Sequence, residues 1–134
     1  MAEAEVTPET DTDDVPDETR VVRVVRPGDV MTSEGVLRPK SSAFTDSRVD
    51  GAMSVFLEND VLADGQAIED LLGLSIFEDG STLWWLPMSY YRENGQIVTR
   101  RKIDEFPGHA NVRDAVGKRS AGKMTRMAKA STLI

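Results

Sequence analysis

Apolar and polar positions along the chain predict a series of short strands. Four valines interleaved with arginines run from residue 20 to residue 26 and favour a strand that ends at Pro27-Gly28-Asp29. Because the arginines fall at every third position, they lie on both faces, which indicates an edge strand. Further strands are predicted at 53–57 and, after a turn at Asn94-Gly95, at 96–100.

Helical spacing occurs at two places. The segment 64–73 begins with a capping aspartate, carries isoleucine and leucine on one face and ends with glycine, so it is predicted to be a short helix. A helix over 120–130 places basic side chains along one side and methionines along another. Between them, 74–77 and 82–88 flank a segment of turn composition, which predicts an antiparallel hairpin.

These elements predict an α+β fold with a small, mostly antiparallel sheet, one short helix and a basic C-terminal helix. At 134 residues the chain is long enough for one modest core and too short for two. We therefore predict a disordered acidic tail over 1–19 and a single α+β domain over 20–134, which includes the basic segment 113–134.

Charge is sorted along the chain. The formal net charge is -7, yet residues 1–19 hold eight acids and no base, whereas residues 96–134 hold nine bases and three acids. The composition of the first segment cannot bury enough apolar surface to offset the entropy of ordering, which favours disorder. Two roles are open for this tail: solubility, or an arm that folds back over the basic C-terminal segment and competes with nucleic acid.

Absent residue types and motifs exclude several classes of protein. The chain has no cysteine, so disulfides, thiolate zinc sites and a catalytic cysteine are excluded. Phosphate loops, dinucleotide fingerprints, zinc-protease histidine pairs and calcium loops are missing, and helix capping and solvation account for Asp60, Asp64, Glu69 and Asp70. We expect no metal and no cofactor. Without an apolar run near about 20 residues or a signal-peptide pattern, a soluble cytoplasmic protein with no membrane span is expected.

Aromatic and basic side chains in the C-terminal half are the candidates for partner binding. Trp84 and Trp85 are adjacent, so in a strand they point to opposite faces and only one can lie fully in the core. The other, beside Tyr91, could stack on a base or anchor a partner, with a half-buried sheet aromatic as the alternative. The basic candidates are Arg100, Arg101, Lys102, Lys118, Arg119, Lys123 and Arg126. They could contact phosphates or an acidic protein surface, or lie in solvent.

Three residues are the candidates for catalysis. His109 is the only histidine and follows a Pro-Gly turn, so it suits proton transfer near neutral pH; a packed, hydrogen-bonded histidine is the alternative. Arg38 is a candidate anion clamp. Ser54 lies between apolar positions of the strand 53–57 and is either a site residue or a paired polar group.

Several short motifs, read together, resemble a family of small uncharacterised bacterial proteins. They are Arg38-Pro-Lys-Ser-Ser-Ala-Phe44, Met53-Ser-Val-Phe-Leu57, Gly95-Gln-Ile-Val98, Pro107-Gly-His-Ala-Asn-Val112 and the lysine-rich C-terminus. The resemblance covers about residues 20–132 and implies one compact domain, with no activity to carry over. It implies that the polar positions to compare for convergence on one pocket are Arg38, Ser41, Ser42, Ser54 and His109.

Three functional classes remain open. The leading hypothesis is a small intracellular binding or adaptor protein, in a mobile-element or host-defence setting, that contacts a protein partner through its aromatic and basic C-terminal half. The second is a nucleic-acid-binding protein that uses the basic segment against phosphates. The third is a small enzyme acting on a phosphate or nucleotide, with Arg38 as anion clamp and His109 as acid or base, which requires both to face one cleft.

Overall fold

The computed structural model describes residues 8–48 and 51–134 and has an α+β fold, as the sequence predicts. Its strands are β1 (Arg20–Val25), β2 (Val30–Ser33), β3 (Val36–Pro39), β4 (Met53–Leu57), β5 (Thr82–Pro87), β6 (Gln96–Arg100), β7 (His109–Asp114) and β8 (Thr132–Leu133). Six of them form an antiparallel sheet in the order β6-β7-β4-β1-β5-β8, and β2 and β3 form a separate hairpin. Most of the predicted strands are therefore confirmed.

Short helices connect and cover these strands. They are α1 (Glu58–Ala63), α2 (Met88–Glu93) and α3 (Ala121–Ala130), with 3-10 turns at Pro27–Asp29, Ser41–Phe44 and Ile68–Gly73. The C-terminal helix α3 confirms the sequence prediction, and it begins where the Ser120 hydroxyl accepts a hydrogen bond from the Lys123 amide. The sequence analysis did not predict α1 or α2.

The strand β1 lies in the middle of the sheet, between β4 and β5, so the prediction of an edge strand is wrong. The valines of β1 are buried on both faces of the sheet. Arg23 fits between them because its guanidinium donates hydrogen bonds to the carbonyls of Ala43 and Ser54, at 2.9 and 2.7 Å. Burial lowers the pKa of Arg23 to about 10. An arginine within β1 therefore does not indicate an edge strand, because the carbonyls of Ala43 and Ser54 accept its hydrogen bonds inside the sheet.

Each face of the sheet packs against a different cover. On one face, Val21 and Val25 join a core with the 41–44 turn, α2 and α3. On the other face, Val22 and Val24 join a smaller core with α1 and the 68–73 turn. Because successive side chains of a strand alternate between faces, one valine-rich strand serves both cores, and each fully buried valine contributes about 1.5–3 kcal/mol.

Two predicted elements differ from the structure. Asp64 ends α1 instead of capping a helix, and the 3-10 turn that follows is confined to Ile68–Gly73. The predicted hairpin of 74–77 with 82–88 is wrong, because β5 pairs with β1 and β8 while 74–77 forms no strand. A long-range partner with matching valines displaced the local pairing that turn composition suggested.

Residues 8–19 are ordered and packed on the domain, which differs from the disorder predicted over 1–19. Val15 is 3% exposed and belongs to the larger core, and Thr19 is also buried. Three carboxylates of this segment pair with arginines of β6, β7 and α2, so residues 8–19 continue into the domain without a structural break at residue 20. The first seven residues of the predicted tail lie outside the described residues.

Among the described residues, no helix has the length and apolar character that crossing a membrane requires.

Candidate functional site

A cleft of about 980 Å³ lies between the end of α1, the segment 66–74 and the loop 101–108. Gly108 positions this loop against α1: its φ is +72°, its carbonyl accepts the Leu57 amide at 2.9 Å, and its missing side chain leaves room for Val61. His109, at the start of β7, borders the cleft beside Arg100 of β6. The cleft is thus built where a tight turn brings two irregular segments together.

Carboxylates outnumber basic groups in the lining of this cleft, which we call the acidic cleft. Its ionised groups are Asp60, Asp64, Asp70, Asp104, Glu105, Arg100 and Lys102. Asp60 accepts a hydrogen bond from the Arg100 guanidinium at 2.7 Å, and Asp70 accepts one from the Ala67 amide at 2.9 Å. The carboxylates of the other three acids are exposed and make no hydrogen bond or ion pair with the described residues. The acidic cleft therefore presents unpaired negative charge to a ligand.

Apolar side chains form part of the same surface. Leu71, Leu74, Ile103 and Phe106 line the acidic cleft between its carboxylates. A concave site with apolar area and a few convergent charges is the usual form of a binding site. Within residues 8–48 and 51–134, no group of three or more histidine, aspartate or glutamate side chains is arranged to hold a metal ion. The lining of the acidic cleft can make electrostatic and hydrophobic contacts with a ligand.

His109 is buried beside the acidic cleft and bonded through both ring nitrogens. Its Nδ1 lies 2.9 Å from the Arg101 carbonyl and its Nε2 lies 3.1 Å from the Ser54 hydroxyl. Because a carbonyl accepts, we assign the proton to Nδ1, so that Nε2 accepts from Ser54. The ring also packs edge-on against Phe56 at 5.8 Å. This is the hydrogen-bonded histidine that the sequence analysis gave as the alternative to a catalytic one.

Of the five polar positions singled out by the resemblance, the structure brings together Ser54 and His109. Arg38 is exposed on the β2–β3 hairpin and does not line the acidic cleft. Ser41 bonds Thr125 of α3, and Ser42 bonds Asp29. The five residues therefore do not converge on one pocket. Ser54 and His109 have the spacing of a nucleophile and base, yet Ser54 does not line the acidic cleft.

The aromatic candidates divide as their alternation predicts. Trp84 is 4% exposed and donates to the Thr82 hydroxyl, whereas Trp85 is half-buried with the Arg20 guanidinium 5.7 Å from its ring centre. Tyr91 is fully buried, and burial raises the pKa of its hydroxyl. Its assignment to base stacking is wrong, because a ring enclosed in the core offers no face to a ligand.

At least three of the seven basic candidates form ion pairs with acids among the described residues. Arg119 is buried and bonds Asp46, Arg100 is held by Asp14 and Asp60, and Lys123 bonds Asp114. The other four are Arg101, which is half-buried, and the exposed Lys102, Lys118 and Arg126. A continuous phosphate-binding surface is therefore not formed by this set, because charges already neutralised within the protein release few counterions.

Because Lys123 forms an ion pair with Asp114, we expect the free energy of unfolding to fall at acidic pH, when Asp114 becomes protonated. The hydrogen bond from Lys123 holds the pKa of Asp114 at about 2, against the opposing effect of burial. A carboxylate with a lowered pKa adds stability above its unfolded value near 4, and this is lost as the pH falls towards 2.

We expect the lowered pKa of Asp114 to contribute about 2 kcal/mol at neutral pH, most of it from Lys123 and the rest from hydrogen bonds donated by Val116 and Gln96. In Lys123→Met, NMR titration should show the pKa of Asp114 rising towards its ordinary value, and urea unfolding should show lower stability at pH 7. An unchanged Asp114 pKa in that variant would contradict the assignment.

Sequence reasoning missed two features of this region. The acids of 60–70 and 104–105 lie far apart in sequence and meet through the glycine turn at 108, which no local pattern indicates. Arg92 and Arg113 were not singled out, yet each pairs with an acid of the N-terminal segment. The acid-rich composition of 9–17 is the signal that could have indicated these pairs, since it supports an arm that folds back over basic residues as one of two roles for the tail.

Comparison with known proteins assigns no family to this architecture. No family model matches the chain, and no curated protein or solved structure is significantly similar to it.

Proposed function

We propose that this chain is a small binding or adaptor protein that holds a basic segment of a partner protein in the acidic cleft. The observation that supports this most is that Asp64, Asp104 and Glu105 are exposed, have no ion pair with the described residues and lie beside apolar side chains of the same lining. Arginine and lysine side chains suit such a surface because their stems cover apolar area while their charges reach carboxylates. A cytoplasmic location and a mobile-element or host-defence setting stay predictions.

The contact surface in the acidic cleft differs from the aromatic and basic C-terminal residues that the sequence analysis favours. Trp84, Tyr91 and Arg119 are enclosed, and Arg100 and Lys123 are neutralised within the chain. The same facts disfavour nucleic-acid binding through these residues. The acidic cleft would also repel phosphates, because like charges across an interface cost binding free energy.

The geometry lends less support to an enzyme. Arg38 and His109 do not line one cleft, as that hypothesis required. The Arg101 carbonyl and the Ser54 hydroxyl position His109, so both of its ring nitrogens have hydrogen-bond partners within the protein. A binding function needs neither residue.

Charge reversal in the acidic cleft tests the proposal. The probe is a series of fluorescent nine-residue peptides built from leucine, serine and glycine with zero to four lysines. We expect affinity for the full chain to rise with each lysine, and the double variant Asp64→Lys with Asp104→Lys to bind the four-lysine peptide about tenfold more weakly. Fluorescence anisotropy at fixed ionic strength measures both effects.

A matched control separates the cleft from overall charge. Glu78→Lys with Glu93→Lys changes the net charge equally at exposed positions outside the acidic cleft, and it should leave the affinity within about twofold. Equal weakening in the two double variants would show that net charge alone attracts the peptide. Affinity that does not depend on the number of lysines would also overturn the proposal.

A further inference from the structure

Residues 8–14, which we call the acidic arm, lie along the outer edge of the six-stranded sheet. β6 is the terminal strand on that side. Thr10 and Arg100 exchange two backbone hydrogen bonds, of 3.0 and 2.8 Å, as an antiparallel bridge. The Thr12 hydroxyl then donates to the Val98 carbonyl at 2.7 Å. The acidic arm thus satisfies edge groups of β6 that would otherwise be open to another strand.

Side chains of the sheet fix the acidic arm by its carboxylates. Glu9 bonds Arg113 at 2.7 Å and also accepts from Asn111 at 2.8 Å. Asn111 is 1% exposed, so its amide points from a buried position towards the arm. Asp14 bonds Arg100 through both of its oxygens, at 2.7 and 2.9 Å. The edge of β6, together with Asn111 and Arg113 of β7, therefore combines main-chain pairing with side chains that bind two carboxylates five residues apart.

The acidic arm is held more weakly than the segment that follows it. All of its residues except Thr12 are exposed. Ion pairs between side chains that solvent reaches contribute little to stability, so the arm can open without unfolding the domain. Val15 and Thr19 are buried and keep the next segment in place. A hinge between Asp14 and Val15 would release the edge and leave the core intact.

We propose that the β6 edge is a docking site for an extended acidic segment of a partner protein, which displaces the acidic arm. Addition of a strand to an exposed sheet edge is a recurrent mode of peptide recognition, with backbone bonds giving affinity and side chains giving specificity. Backbone pairing between Thr10 and Arg100 favours a peptide over a nucleic acid as the occupant. The tethered arm acts as an internal competitor at high effective concentration.

This site is separate from the acidic cleft in its chemistry. The β6 edge takes an acidic segment, whereas the acidic cleft takes a basic one, so the failure of either proposal leaves the other standing. Thr10 and Arg100 border both surfaces.

The test uses the full chain and a fluorescent peptide with the sequence of residues 8–17. In Glu9→Gln with Asp14→Asn, the arm loses its ion pairs, and we expect it to bind the peptide about tenfold more tightly than the unaltered chain does. Adding Arg113→Gln to that variant should remove most of the gain. A peptide with glutamine and asparagine in place of its acids should bind at least about tenfold more weakly.

Further variants keep the result unambiguous. Asp11→Asn with Asp13→Asn removes the same charge from arm positions that make no ion pair with the described residues, and should leave affinity unchanged. Thr10→Pro removes the amide that donates to Arg100, and should also raise affinity. The proposal is overturned if neither loosened arm binds the acidic peptide more tightly, if the amide peptide binds equally well, if oligothymidine binds in the peptide's place, or if loosening only produces dimers.

Discussion

Gly108→Ala is expected to destabilise the protein by about 3 kcal/mol or more, with unfolding at much lower urea concentration. A methyl group at this position would lie 2.5 Å from Cγ2 of Val61 and 2.8 Å from the Leu57 carbonyl oxygen. Neither neighbour can give way easily, since Val61 is fully buried and the carbonyl belongs to the backbone. The φ of +72° adds strain for any residue with a Cβ.

Gly95→Ala provides the matched control for this prediction. Gly95 has a similar φ of +68°, but a methyl group there would meet nothing within 4 Å. We expect this variant to cost about 1 kcal/mol, from the backbone conformation alone. The difference between the two variants in urea unfolding measures the close approach of the 101–108 loop to α1. Equal destabilisation by the two substitutions would contradict the described geometry of the cleft wall.

Arg119→Met is expected to destabilise the protein by about 3–5 kcal/mol. The Arg119 side chain is 1% exposed and bonds Gln96 at 2.9 Å, the Val112 carbonyl at 3.3 Å and the Asp46 carboxylate. Methionine matches its length without its donors, so it would leave a carboxylate and several acceptors unpaired in a buried place. Thermal or urea unfolding measures the loss.

Arg126→Met is the control for charge and side-chain length. Arg126 is exposed on α3 and makes no ion pair with the described residues, so this substitution should change stability by no more than about 0.5 kcal/mol. Similar effects at the two arginines would mean that the Arg119 network does not stabilise the fold. Since Gln96 also bonds Asp114, double variants within this network should be non-additive.

Local patterns predicted the elements whose cause is local. The strand 53–57 follows from its alternation, and α3 follows from the spacing of its basic and methionine side chains. The pairing of strands was beyond reach, because β1 lies beside both β4 and β5, which are distant in sequence. The same limit applied to Arg23, whose acceptors come from 43 and 54.

The candidate sites show the same division. Alternation predicted that only one of Trp84 and Trp85 would lie fully in the core, and Trp84 is buried whereas Trp85 is half-buried. Composition could not show that Arg119 is enclosed or that the acids of 9–14 find arginines, because each depends on contacts across many residues. The acidic cleft depends on a turn at Gly108 whose packing against α1 is visible only in three dimensions.

Amide chemical-shift mapping tests the central claim, that the acidic cleft binds a basic segment, most directly. The four-lysine peptide is titrated into the isotope-labelled full chain at fixed salt. The account predicts saturable shifts confined to Thr10 and to 60–74 and 100–109, which line the cleft. Shifts located instead on the β2–β3 hairpin, where Val36 and Leu37 are exposed, or the absence of any saturable shift, would contradict it.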